Sequence, residues 1–212
     1  IIFQDPYASL DPRMRVETLV TEPLRAFGNL DSGQRRAAAA AILERVGLRR
    51  QDLQRYPHEF SGGQRPRIGI ARALIMRPAL VVADEPVSAL DVSIQAQVIN
   101  LMAQLKEDFN LTYLFISHDI GVVAHFCERI AVMYLGTLVE LADMKTYRQF
   151  QRHPYAAAHV AAIPIPDPEQ PLASAPVRGE VPSALAPPSG CPFHPRCAHT
   201  LPRCREERPP LV

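Results

Sequence analysis

Asp84 and Glu85 close the apolar run over residues 79–83, and His118 stands just past a second apolar run over 112–116. A carboxylate at Asp84 suits Mg²⁺, which takes few protein ligands and keeps its waters. Glu85 can polarise a water for in-line attack on a terminal phosphate, and His118 can sense that phosphate. Ser61, Gly62, Gly63 and Gln64 supply two glycines behind a serine, a sequence that can aim bare N–H groups at an anion. Together these residues are most of the parts of a nucleotide-hydrolysing site. Plainer readings stand beside them: a solvated acidic turn before Pro86, an ordinary serine-capped helix, and a buried structural histidine. One part is missing, since no G-x-x-x-x-G-K-[ST] loop occurs in the 212 residues.

These residues need elements to position them. The run over 79–83 is short and wholly apolar, as expected of a strand buried on both faces. Helical spacing of Ile94, Val98, Leu101, Met102 and Leu105 predicts a helix over 93–109, and 112–116 reads as the next strand. Strand, helix, strand in this order implies an α/β fold with a parallel sheet, whose ligands gather at the carboxyl ends of the strands. Residues 1–3 read as the end of another buried strand. Asp31 with Gln34 predicts a capping box for an Ala-rich helix ending near Gly47, and Ser61 is the expected cap of a helix reaching Pro78. Residues 130–134 and 137–141 read as strands joined at Leu135 and Gly136.

Bulk properties exclude several classes. A net charge of +1 argues against a broad basic surface for nucleic acid. No apolar stretch reaches bilayer length and no secretory signal is recognisable. The chain opens at Ile1, inside an apolar run, so the expectation is a fragment missing its natural start. Proline, alanine and serine crowd residues 164–189, which predicts an extended linker or tail.

The order Phe60–Ser61–Gly62–Gly63–Gln64, Asp84–Glu85–Pro86, Ser88–Ala89–Leu90–Asp91 and His118–Asp119 resembles the ABC ATPase series: signature motif, Walker B strand, D-loop and H-loop. Gln4 matches the Q-loop glutamine. A finer likeness covers nearly the whole chain. Residues 3–14, 55–59 and 84–97, then His153–Pro154–Tyr155 and 163–168, resemble ATPase subunits of oligopeptide and dipeptide importers, most of all the second ATPase of a heterodimeric pair.

The resemblance implies an ABC-type ATPase domain over 1–150, with a mainly parallel sheet and a helical subdomain at about 15–75. A proline-rich C-terminal extension would then cover 151–212. It implies ATP and Mg²⁺, with Glu85 as base, His118 on the γ-phosphate, Gln4 and Asp84 at the metal, and Asp91 linking two halves of a dimer. Ser61, Gly62, Gly63 and Gln64 would hold nucleotide across that dimer. The implied partners are a homologous ATPase subunit, transmembrane permease subunits and, indirectly, an extracytoplasmic solute-binding protein, with no nucleic acid. The implied place is peripheral, on the cytoplasmic face of the membrane. In this family the phosphate loop precedes the Q-loop, so the chain as written is expected to be inactive alone and its parent active. An ABC-type ATPase acting on DNA, or a non-catalytic fragment docking a membrane partner, are the alternatives.

Pro66 departs from the family's glutamine, with an expected cost of about 3 kcal/mol if it sits in a regular helix interior. In the tail, Cys191, Cys197 and Cys204 do not have zinc-knuckle spacing. They resemble a segment that in some family members ligates an iron–sulfur cluster, which wants four thiolates. Reduced thiols in a floppy tail are the other reading, and Cys127 is expected on a helix after His118.

Overall fold

Three parallel chain segments meet edge to edge near the N-terminus, in a computed structural model that describes residues 1–163 and 177–211. Strand β1 (Leu80–Asp84) pairs in parallel with β2 (Thr112–Ile116), Leu80 against Thr112 and Asp84 against Ile116. Ile2 adds a single parallel bridge to Ala83: its N–H donates to Val82 C=O at 2.8 Å and its C=O accepts from Asp84 N–H at 3.0 Å. Residues 1–3 therefore contribute one bridge rather than a buried strand end, and Ile1 and Phe3 are exposed. The unit to which these segments belong runs Ile1–Val122, and a second compact unit runs Val123–Val212.

The expectation of strands buried on both faces is corrected. Val81 and Ala83 are buried, but Leu80 and Leu114 are each 55% exposed and Ile116 44%. Residues opposite one another in a parallel ladder share a face, so Leu80, Val82, Leu114 and Ile116 form one apolar face open to solvent. The described residues cover one face of this apolar sheet and leave the other open.

Before β1 the chain is helical. Helix α1 (Pro6–Ser9) is one turn, α2 (Val16–Phe27) buries Val16, Leu19, Val20 and Leu24, and α3 (Ser32–Arg45) opens on the expected capping box. Asp31 Oδ1 accepts the Gln34 N–H at 2.9 Å while Gln34 Oε1 accepts the Asp31 N–H at 3.0 Å. Helices α2 and α3 pack against each other and against α4 (Gln64–Leu74). Between the strands lies α5 (Val92–Phe109), with Val98, Ile99, Met102 and Leu105 buried, and α6 (Ile120–Phe126) follows β2.

Helix α4 differs from the sequence reading. Its cap is Gly63 rather than the expected Ser61, so it runs from Gln64 and ends at Leu74, short of Pro78. Arg65 N–H reaches Ser61 C=O at 3.2 Å, but Pro66 has no N–H to continue that ladder, so regular helix starts late. Pro66 is the third helical residue, its ring is buried, and the Gly62 carbonyl it cannot serve belongs to an exposed glycine that water reaches. The interior cost expected from sequence does not apply in a first turn.

In the second unit β3 (Arg129–Tyr134) and β4 (Thr137–Asp143) form an antiparallel hairpin turning at Leu135 and Gly136, whose φ values of 45° and 74° make the two-residue mirror-image turn. Helices α7 (Met144–Gln149) and α8 (Pro154–Ala161) follow. Glu140, 2% exposed, anchors the start of α8: its carboxylate accepts the Arg152 N–H at 3.0 and 3.1 Å and the His153 N–H at 2.9 Å. His153 Nδ1 accepts the Tyr155 N–H at 3.2 Å, so the ring is neutral with its hydrogen on Nε2, 3.8 Å from Cys191 Sγ.

Of the linker expected over 164–189, residues 164–176 lie outside the described residues, and 177–189 run without helix or strand. The cysteine segment is not floppy. Cys191 and Phe193 are buried with Tyr134, Cys197 and Cys204 pack on them, and Cys191 N–H donates to Cys204 C=O at 2.9 Å. Phe193 meets Tyr134 edge-on at 5.3 Å between centroids. Cys127 lies just past α6.

Two outcomes follow from this packing. Pro66→Gln is expected to move unfolding free energy by no more than about 1 kcal/mol, measured by thermal or urea unfolding, and a gain near 3 kcal/mol would place the proline in a strained interior. Burial holds His153 below the ordinary imidazole value, so the folded state binds fewer protons than the unfolded chain. The stability this contributes is present above about pH 6.5 and is lost as pH falls from there toward the lowered folded value. His153→Gln, which keeps an acceptor but cannot titrate, should flatten that part of the pH–stability curve.

Candidate functional site

Parallel register decides what gathers at the carboxyl ends of the strands. Gln4 lies two residues past Ile2 and Glu85 two past Ala83, the bridged pair, so the two emerge side by side. Gln4 Nε2 donates to Glu85 Oε2 at 3.0 Å. His118 lies two residues past Ile116 on the other flank, and its Nδ1 is 3.1 Å from Glu85 Oε1. Each oxygen of one carboxylate is thus held from a different neighbouring segment. The hydrogen bond from His118 holds Glu85 below the usual carboxylate range, with Ser88 and Gln4 adding to it. The His118 side chain is 71% exposed and open to an incoming group, whereas that of Glu85 is 25% exposed.

Glu85 has a φ of 45°, in the left-handed region that a Cβ-bearing residue avoids at a cost of order 1–3 kcal/mol. Bonds on both sides hold it there. Its N–H donates to Ile116 C=O at 3.0 Å, and its C=O accepts the Ser88 N–H at 3.2 Å and the Ser88 hydroxyl at 3.1 Å. In the sequence Ser88 stands out only as the start of the D-loop match. Nothing in its lettering marks a bond to a strained carbonyl three residues back.

Asp84 is the last residue of β1 and exposed. Its carboxylate, and the Gln4 carboxamide oxygen left over once Nε2 is engaged on Glu85, are hard oxygen donors on adjacent segment ends. That donor chemistry fits Mg²⁺.

The Ser61–Gln64 turn keeps its hydrogen bonds local: Ser61 N–H donates to Gln64 Oε1 at 3.1 Å, and Gln64 N–H to Ser61 C=O at 3.0 Å. The two glycines differ. A Cβ on Gly62 would meet nothing, whereas one on Gly63 would come within 3.0 Å of Ile94 on α5, so packing accounts for the second glycine. Gly62 and Gly63 stand before an eleven-residue helix, whose dipole places positive charge at this turn. Asp91 occupies the N-cap position of α5 without a side-chain capping bond.

Cys191 Sγ faces His153 Nε2, burial pushes its thiol up, and the described residues contain no group of three or more His, Cys, Asp or Glu side chains arranged to hold a metal ion. Among the described residues nothing supports an iron–sulfur cluster.

Comparison with known proteins adds independent findings. Residues 1–88 match the family model described as ABC transporter, and residues 139–204 match that described as oligopeptide/dipeptide transporter, C-terminal region. The chain is 50% identical, over its whole length, to the oligopeptide transport ATP-binding protein OppF of Escherichia coli, spanning 64% of that protein. It is 49% identical to a Brucella ovis protein named for peptide import and ATP binding, with 98% of the chain and 68% of the relative covered. The chain therefore spans about two thirds of the length of these curated relatives. Among solved structures, cbiO1 from Clostridium perfringens, part of an ABC transporter complex, superposes with a TM-score of 0.61 at 25% identity, over 76% of this chain and 60% of the other. The ATP-binding cassette MJ0796, in a dimeric state bound to ADP and Pi, gives 0.57 at 30% identity over 68% and 61%.

Proposed function

The chain belongs to the family of ATP-binding subunits of oligopeptide and dipeptide ABC transporters, and on that premise we propose that the whole protein hydrolyses ATP to drive peptide import across the cytoplasmic membrane. The observation that carries this reading is Glu85, held oxygen by oxygen between Gln4 and His118 where three parallel segments end.

In this reading Glu85 is the base. Its carboxylate is ionised and directed, as needed to take a proton from a water attacking the terminal phosphate. His118, whose Nδ1 lies 3.1 Å from Glu85 Oε1, would contact that phosphate through an N–H on its other ring nitrogen, Nε2. Asp84 and the Gln4 oxygen would hold Mg²⁺, which when bound neutralises charge developing on the phosphate oxygens. Gln4 couples the metal position to the base, because one carboxamide serves both.

The Ser61–Gln64 turn would receive the nucleotide held by a second, homologous ATPase subunit, with Asp91 at the junction. A dimer of this kind agrees with the dimeric MJ0796 cassette. The open apolar face of Leu80, Val82, Leu114 and Ile116 is suited to a further layer carrying a phosphate-binding loop, which the relatives' greater length can accommodate. The division into an ATPase domain over 1–150 and an importer-type extension over 151–212 belongs to the same proposal.

Permease subunits are the proposed membrane partners, contacted near residues 4–14, with a solute-binding protein acting indirectly and the subunit lying peripherally on the cytoplasmic face. No described helix is long and apolar enough to cross a membrane. The DNA-acting alternative is dropped, since these relatives are named for peptide transport. The iron–sulfur reading of Cys191, Cys197 and Cys204 forms no part of the proposal.

In the full-length protein assembled with its partners, Glu85→Gln should lower steady-state ATP turnover by roughly 10²-fold or more while ATP still binds. Turnover within a few-fold of the parent would remove Glu85 as the base.

A further inference from the structure

We propose that Ser88 is a positioning residue for Glu85, its hydroxyl pinning the peptide at which the chain leaves β1 and thereby setting where the carboxylate points. The inference rests on the reading of Glu85 as the base.

Glu85 is the last point of β-ladder contact and the first residue in the left-handed region, with φ at 45°. A side chain on such a residue swings with the backbone. Small relaxation toward ordinary φ values would carry the carboxylate away from both Gln4 and His118. Upstream, the relaxation is resisted by the Glu85 N–H on Ile116 C=O at 3.0 Å, a bond that β2 holds in register. Downstream, Pro86 and Val87 are buried, and the hydrogen bonds on the Glu85 carbonyl itself come from Ser88, through its N–H at 3.2 Å and its Oγ at 3.1 Å. The N–H would be present with any residue but proline. The hydroxyl is what serine adds. It closes the turn over a carbonyl whose orientation fixes the plane of the next peptide and, through it, the Glu85 side chain. Gln4 and His118 act only on the carboxylate oxygens after the backbone has placed them, whereas the Ser88 hydroxyl, which also helps hold that carboxyl ionised, bonds the backbone carbonyl itself.

The test compares Ser88→Thr with Ser88→Val in the full-length, assembled protein, beside Ser88→Ala and Glu85→Gln. Threonine and valine have nearly the same shape, so a packing or folding defect from branching is shared and the hydroxyl is isolated. The expected result is kcat for ATP hydrolysis about 10-fold lower in Ser88→Val and Ser88→Ala than in Ser88→Thr, with KM for ATP unchanged within about 2-fold, as for a misdirected reacting group. Equal kcat in the threonine and valine variants overturns the proposal, as does a difference confined to KM. If Glu85→Gln abolishes turnover while the Ser88 variants agree, the positioning role fails and the base assignment stands. If Glu85→Gln retains turnover, the base assignment fails and the Ser88 role falls with it.

Discussion

Everything at the candidate site depends on the parallel register of three short segments. Ile2 bridges Ala83 and Asp84 pairs with Ile116, so the residues just beyond them leave the sheet at one level and in one direction. Antiparallel pairing would send neighbouring segments out at opposite ends and separate Gln4 from Glu85. The register costs something: it needs a long crossover, supplied by α5, and it ends in a left-handed glutamate. The carboxylate pinned at both oxygens is what results.

That constraint also explains the surface around the site. A parallel sheet is stable when both faces are covered, yet Leu80, Leu114 and Ile116 are open. The candidate site therefore lies at the end of a sheet with one bare face. This agrees with a chain that spans about two thirds of its relatives.

Much of this was legible in the sequence where local rules dominate. Strand β2 begins and ends where the apolar run does, Asp31 and Gln34 form their capping box, and Leu135 and Gly136 make the hairpin turn. The nearness of Glu85 and His118 followed from placing both at strand ends. What escaped depends on contacts distant in sequence. The start of α4 shifts because Pro66 interrupts the ladder, and Gly63 is small because Ile94 lies against it. An apolar run cannot say which of its two faces has a neighbour. In the C-terminal unit a buried glutamate in β4 serves backbone N–H groups twelve and thirteen residues away, and the cysteine segment returns to pack on Tyr134. Neither leaves a periodic trace.

The most direct measurement is a high-resolution crystal structure of the full-length protein with Mg²⁺ and a non-hydrolysable ATP analogue. The account predicts that the terminal phosphate lies where Glu85 and His118 both reach it, with Gln4 still bonded to Glu85 or shared with the metal. A terminal phosphate bound elsewhere, with Gln4, Glu85 and His118 directed to unrelated surfaces, would contradict it.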